Sequence, residues 1–126
     1  MDLYREQILD HYKHPRNFGH LEGANVTSEE SNVSCGDRIV IEIKLKVNSQ
    51  KLKVIEAISF NGEGCAINQA SASMLTEKVT GMRVEDVMKL TLKDVEKLLG
   101  TPLTVSRVKC ALLPLEAIHK AILSVR

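Results

Sequence analysis

The sequence predicts an α+β fold, a small antiparallel sheet covered by helices. Three observations point to it. A period-two apolar run starts at residue 38, a second β-branched run follows a short polar turn, and helical apolar spacing dominates from residue 66 onward.

The elements follow in order. Leu3, Ile8, Leu9 and Tyr12 form one stripe of a helix over residues 2–14, which stops before Pro15 because the residue preceding proline is pushed out of the helical region. Residues 15–37 are rich in Gly, Asn, Ser and Glu and read as mostly loop, with a candidate short strand at 24–28. From Arg38, the residues Ile39, Ile41, Ile43, Leu45 and Val47 alternate with more polar neighbours, the pattern of a half-buried strand. Asn48-Ser49-Gln50 offers a turn, and residues 52–60 make a second strand whose alternation breaks at Glu56, which marks a bulge or a change of register. Residues 66–80 form a helix of small residues ending at Gly81, and Thr91 with Asp94 makes a capping pair for a helix that ends at Gly100. The last helix is expected over 114–124, with Pro114 in its first turn, where a missing N–H does no harm.

Composition narrows the function. The 126 residues suit one compact domain, 1–126, without internal repeat or linker. Apolar residues make up 44% and charged residues 26%, as in ordinary globular proteins. A formal charge of +1, aromatics at 3% and no Trp argue against a nucleic-acid partner, which would call for a basic surface or stacking rings. No stretch approaches the roughly 20 apolar residues that cross a bilayer, so no membrane partner is expected. The amino terminus carries no secretory pattern, and a cytoplasmic location is expected.

Three cysteines cannot close into disulfides without a leftover thiol. In a reducing compartment they suggest metal binding, reactivity or plain burial. Their local contexts favour a site. Cys35-Gly36-Asp37 precedes the long strand, and Gly36 lets the backbone bend so that a thiol and a carboxyl can aim at one point. Cys65 opens the small-residue helix, at an end whose partial positive charge stabilises a thiolate. Cys110 is expected just before the last helix, beside Lys109. Antiparallel pairing can bring Cys35 and Cys65 together, and a returning helix can present Cys110. The gaps between the cysteines match neither a zinc finger nor a Cys-x-x-Cys motif, so specificity rests on the local motifs.

Four of those motifs, in order, resemble the iron–sulfur cluster scaffolds of the IscU, SufU and amino-terminal NifU type. They are the run from Asp10 to Gly19 (DHYKHPRNFG), Cys35-Gly36-Asp37-Arg38, Gly64-Cys65-Ala66-Ile67 and Val108-Lys109-Cys110-Ala111. The resemblance covers nearly the whole chain and implies a three-stranded antiparallel sheet packed against several helices. It implies metal binding by Cys35, Asp37, Cys65 and Cys110, a set that holds either a transient [2Fe–2S] cluster or Zn²⁺. Thiolates suit both, whereas the carboxylate is a harder, weaker partner that eases release. Three thiolates and a carboxylate leave about −2 around a doubly positive centre, which Arg38 and Lys109 could offset. The implied partners are a cysteine desulfurase, with Cys110 or Cys35 accepting persulfide sulfur, and apo iron–sulfur acceptor proteins.

The subfamilies divide on details. IscU and NifU types usually carry His before the third cysteine and a Leu-Pro-Pro-Val-Lys stretch read by an Hsp70 chaperone. Here Thr104, Val105 and Ser106 replace much of that stretch, so that chaperone is not expected. Lys109 resembles SufU, a zinc-holding sulfur acceptor, yet the extra segment usual in SufU between the second and third cysteines is missing. A non-enzymatic cluster scaffold, a zinc-dependent sulfurtransferase and a purely structural zinc module therefore stand side by side. Outside the site, His11 and His14 read as structural or partner-contact residues and His119 as a solvated one. Ser71 and Ser73 read as small residues that permit close helix packing.

Overall fold

A computed structural model of the chain describes residues 3–33 and 36–125. Among them, helix α1 (Leu3–Lys13) leads into strands β1 (Val26–Asn32), β2 (Asp37–Val47) and β3 (Lys53–Glu63). Helices α2 (Ala66–Val79), α3 (Val84–Val87), α4 (Leu92–Leu99) and α5 (Val105–Leu123) follow. The strands form one antiparallel sheet in the order β1-β2-β3. The α+β class and the three-stranded sheet agree with the sequence reading.

Alternation on β2 sends Ile39, Ile41 and Ile43 into the core, where Ile58 and Phe60 of β3 pair with Ile43 and Ile41. On the helical side, Leu75, Val79, Leu99, Ile118 and Ile122 close this core. The break at Glu56 is a bulge: Lys44 pairs with Ala57 and Leu45 with Ile55, so Glu56 has no partner in the ladder. The outer edge of β3 is covered twice. Phe60 exchanges backbone hydrogen bonds with Asn17 and Gly19, and Ile55 does so with Met82 and Gly81. That cover removes a free edge on which another chain could pair.

The candidate strand at 24–28 is instead the longer β1, anchored to α5 where the Ser28 hydroxyl donates to the Ala117 carbonyl at 2.6 Å. The short α3 has too few residues to show a period and was not read from the sequence. The capping box at Thr91 and Asp94 is present, and Gly100 ends α4 in the left-handed conformation (φ 78°).

The last helix departs most from expectation. It starts at Val105, not at Pro114, so Pro114 lies in its interior and Cys110 sits within the helix rather than ahead of it. Proline is a helix-start signal by local sequence, yet Val105, Val108, Leu112, Leu115 and Ile122 keep helical spacing straight through it.

One assignment of a polar residue changes and another is extended. His119 is half-buried and its Nε2 lies 2.9 Å from the Val87 carbonyl oxygen. Ser73 is fully buried: its Oγ accepts the Arg16 backbone N–H at 2.8 Å and lies 2.7 Å from His11 Nδ1. Both serines are hydrogen-bonding anchors as well as small residues, because Ser71 donates to the Ala111 carbonyl at 2.7 Å.

Candidate metal centre

The hairpin and two helices converge at one end of the sheet. Asp37 opens β2 opposite Asn32 of β1, while Arg38 pairs with Glu63, the last residue of β3. Asp37 therefore stands beside the segment that leads through Gly64 to Cys65. Gly36 occupies the left-handed region (φ 75°) and its N–H donates to the Asn32 carbonyl at 2.9 Å, which supplies the bend expected of that glycine.

Cys65 is the N-cap of α2, with extended backbone (φ −70°, ψ 172°) and no side-chain capping bond, so its sulfur stays turned to the site. Cys110 reaches the same point from the second turn of α5. One ligand atom each from Asp37, Cys65 and Cys110 lies within 4.8 Å of the others, and the Cys65 thiol stands 3.8 Å from Asp37 Oδ2. Asp37 is 4% exposed and Cys110 7%, whereas Cys65 is exposed. The fourth expected ligand, Cys35, lies outside the described residues.

A carboxylate and two thiols at this spacing can wrap a soft or borderline cation without moving their backbones. Among the described residues no basic side chain stands in hydrogen-bond contact with this deeply buried carboxyl, and its burial costs free energy when it is charged unless a cation compensates it.

A basic residue beside the cluster was not among those expected there. Arg38 is exposed and engaged by Glu29 at 2.6 Å, and Lys109 is exposed on α5. Arg107 instead lines a cavity of about 390 Å³ together with Cys65, Ala66 and Ile67. Its signal was available: it lies three residues before Cys110, which on a helix is the same face, but the segment was not read as helix. Asn68, missed entirely, is fully buried and donates to the Cys110 carbonyl at 3.3 Å.

Sheet, helices and mixed thiol–carboxylate cluster together define a small α+β domain with a sulfur-rich candidate metal site at one end of its sheet. The chain belongs to the family of NifU-like N-terminal domains, whose family model matches residues 3–126. It is 36% identical to the zinc-dependent sulfurtransferase SufU of Bacillus subtilis, over 95% of this chain and 89% of that protein. It is 40% identical to the iron–sulfur cluster assembly scaffold protein IscU of Aquifex aeolicus, over 94% of this chain and 73% of that protein. Among solved structures, a putative scaffold for the SUF system from Fervidobacterium islandicum superposes with a TM-score of 0.72 at 27% identity. That match covers 93% of this chain and 94% of the other.

Proposed function

We propose that residues 1–126 act as one scaffold domain that assembles a [2Fe–2S] cluster and hands it to apo acceptor proteins in the cytoplasm. The convergence of Asp37, Cys65 and Cys110 within 4.8 Å carries this reading. Cys35 is proposed as the fourth ligand, on the strength of the Cys35-Gly36-Asp37 motif that ends in a converging residue.

Sulfur arrives from a cysteine desulfurase as a persulfide. A scaffold thiolate, on Cys110 or Cys35, attacks the terminal sulfur; the S–S bond breaks and the electron pair leaves with the donor's thiolate. The bound sulfur becomes cluster sulfide only after two electrons arrive from a reductant. Asp37 supplies an oxygen ligand, harder than sulfur, so the cluster is held and can still be released. Burial of Cys110 means that it meets a donor only when the site opens, while Cys65 is accessible as it stands.

A second reading has its own support. Lys109 and the likeness to a zinc-dependent sulfurtransferase favour Zn²⁺ on the same residues, with one cysteine leaving the metal to accept sulfur. The deciding experiment is anaerobic purification with metal analysis, then reconstitution with iron, cysteine and a desulfurase. The cluster reading expects visible cluster absorbance at two irons per site. Stoichiometric zinc that survives reconstitution, without that absorbance, would overturn it in favour of the zinc reading.

A further inference from the structure

The geometry points to Asn68 as a positioning residue that stands in for the N–H missing from Pro114 and thereby fixes Cys110 against Cys65. The inference rests on the metal-centre reading and adds a residue outside the ligand set.

In a regular α-helix the carbonyl of residue 110 accepts the N–H of residue 114. Pro114 has none, and its ring crowds the carbonyl four residues back. The carbonyl deprived in this way belongs to Cys110 itself. Asn68 supplies a replacement from another helix, its Nδ2 donating to Cys110 O at 3.3 Å in a fully buried position. The amide is held in that orientation, because Gln69 Nε2 donates to Asn68 Oδ1, also at 3.3 Å.

The same side chain packs against the other ligand segment. Asn68 lies one turn after Cys65 on α2, beneath Gly64, where an added Cβ would come within 2.5 Å of Asn68 Oδ1. One side chain therefore touches the residue before Cys65 and the carbonyl of Cys110. It sets the spacing of the two sulfurs more directly than the general packing of α2 on α5. Ser71, one turn further, donates to the next carbonyl, Ala111 O, and extends the same seam.

A double-mutant cycle with Co²⁺ as the probe tests this, since cobalt reports thiolate ligation by its absorption whether the natural occupant is zinc or a cluster. Asn68→Ala should weaken Co²⁺ binding by about tenfold or more and alter the cobalt bands, as removal of groups behind metal ligands generally does. Pro114→Ala restores a backbone donor to Cys110 O, so it should bind cobalt as the parent chain does, and its new amide at position 114 should be protected from hydrogen exchange. Asn68→Ala in the Pro114→Ala background should then lose little affinity. Equal cobalt affinity and spectrum in Asn68→Ala and the parent chain would overturn the inference. So would a tenfold loss that persists in the Pro114→Ala background. If Asn68→Ala alone does not fold, the comparison of Pro114→Ala with the double variant decides by the same criterion. Failure of the parent chain to take up cobalt would overturn the metal-centre reading, and this inference with it.

Discussion

At the scale of residues, Asp37 and two glycines bear most directly on the centre. Asp37 is a carboxyl placed where a fourth sulfur would hold a cluster more tightly, so Asp37→Cys should favour retention over delivery. Transfer to an apo acceptor, followed by circular dichroism, should slow about tenfold, the factor that 1.4 kcal/mol of extra ligation represents. An unchanged rate would mean that Asp37 is not a ligand in the loaded state. Gly62 matters for another reason. It has φ +132°, and a Cβ there would overlap the Arg38 carbonyl, a backbone atom that cannot step aside. Gly62→Ala should cost about 2–3 kcal/mol in urea unfolding and disturb the β2–β3 pairing that places Asp37 beside Cys65. Gly64→Ala meets first the side chain of Asn68, so its effect should fall on the candidate metal site before it falls on stability.

At the scale of elements, α1 is fastened to α2 by a small buried network. Ser73 Oγ accepts the Arg16 N–H and lies 2.7 Å from His11 Nδ1, while His11 Nε2 faces Glu77 Oε1 at 3.9 Å. Burial first, and the nearby Arg16 guanidinium second, hold the His11 pKa below its usual 6.5. The unfolded chain therefore takes up a proton that the folded chain resists. Stability from this residue is complete above about pH 6.5 and is lost as the pH falls toward the lowered folded value. Urea midpoints should fall between pH 7.5 and 5.5, and His11→Asn should flatten that slope at some cost at neutral pH. A variant as pH-sensitive as the parent would place the titration elsewhere. Ser73→Ala removes both bonds at once and should cost about 1–3 kcal/mol.

Local sequence made β2, the bulge at Glu56, α2 and the capped α4 legible, because period, small residues and caps all agreed there. It misled at α5. There a strong local signal, proline, conflicted with a weaker and longer one, apolar spacing, and the helix follows the spacing, with Asn68 donating to the Cys110 carbonyl one turn before Pro114. The centre was legible as motifs at Asp37, Cys65 and Cys110. Arg107, Asn68 and the His11–Ser73 bond were not, because they depend on which faces of separate helices meet.

At the scale of the whole molecule, the centre joins parts of the chain that are far apart in sequence. Asp37 begins β2, Cys65 caps α2 and Cys110 lies in α5, so a cation bound there would tie the hairpin to both core helices. None of this spacing survives unfolding, so under the proposed function cation binding would contribute to folding as well. At a free Zn²⁺ concentration one hundred times its dissociation constant, the stabilisation should be about 2.7 kcal/mol. For a chain of this size that corresponds to a rise in Tm of about 10 °C. Cys65→Ser should remove most of the rise, because it replaces a proposed ligand that also caps α2 where the hairpin ends. Asp37→Ala should reduce the rise and leave part of it, since the thiolates are the stronger partners of zinc. A rise of the same size in Cys65→Ser would show that zinc binds elsewhere. No rise in the parent chain would show that the three segments, although adjacent, do not hold a cation together.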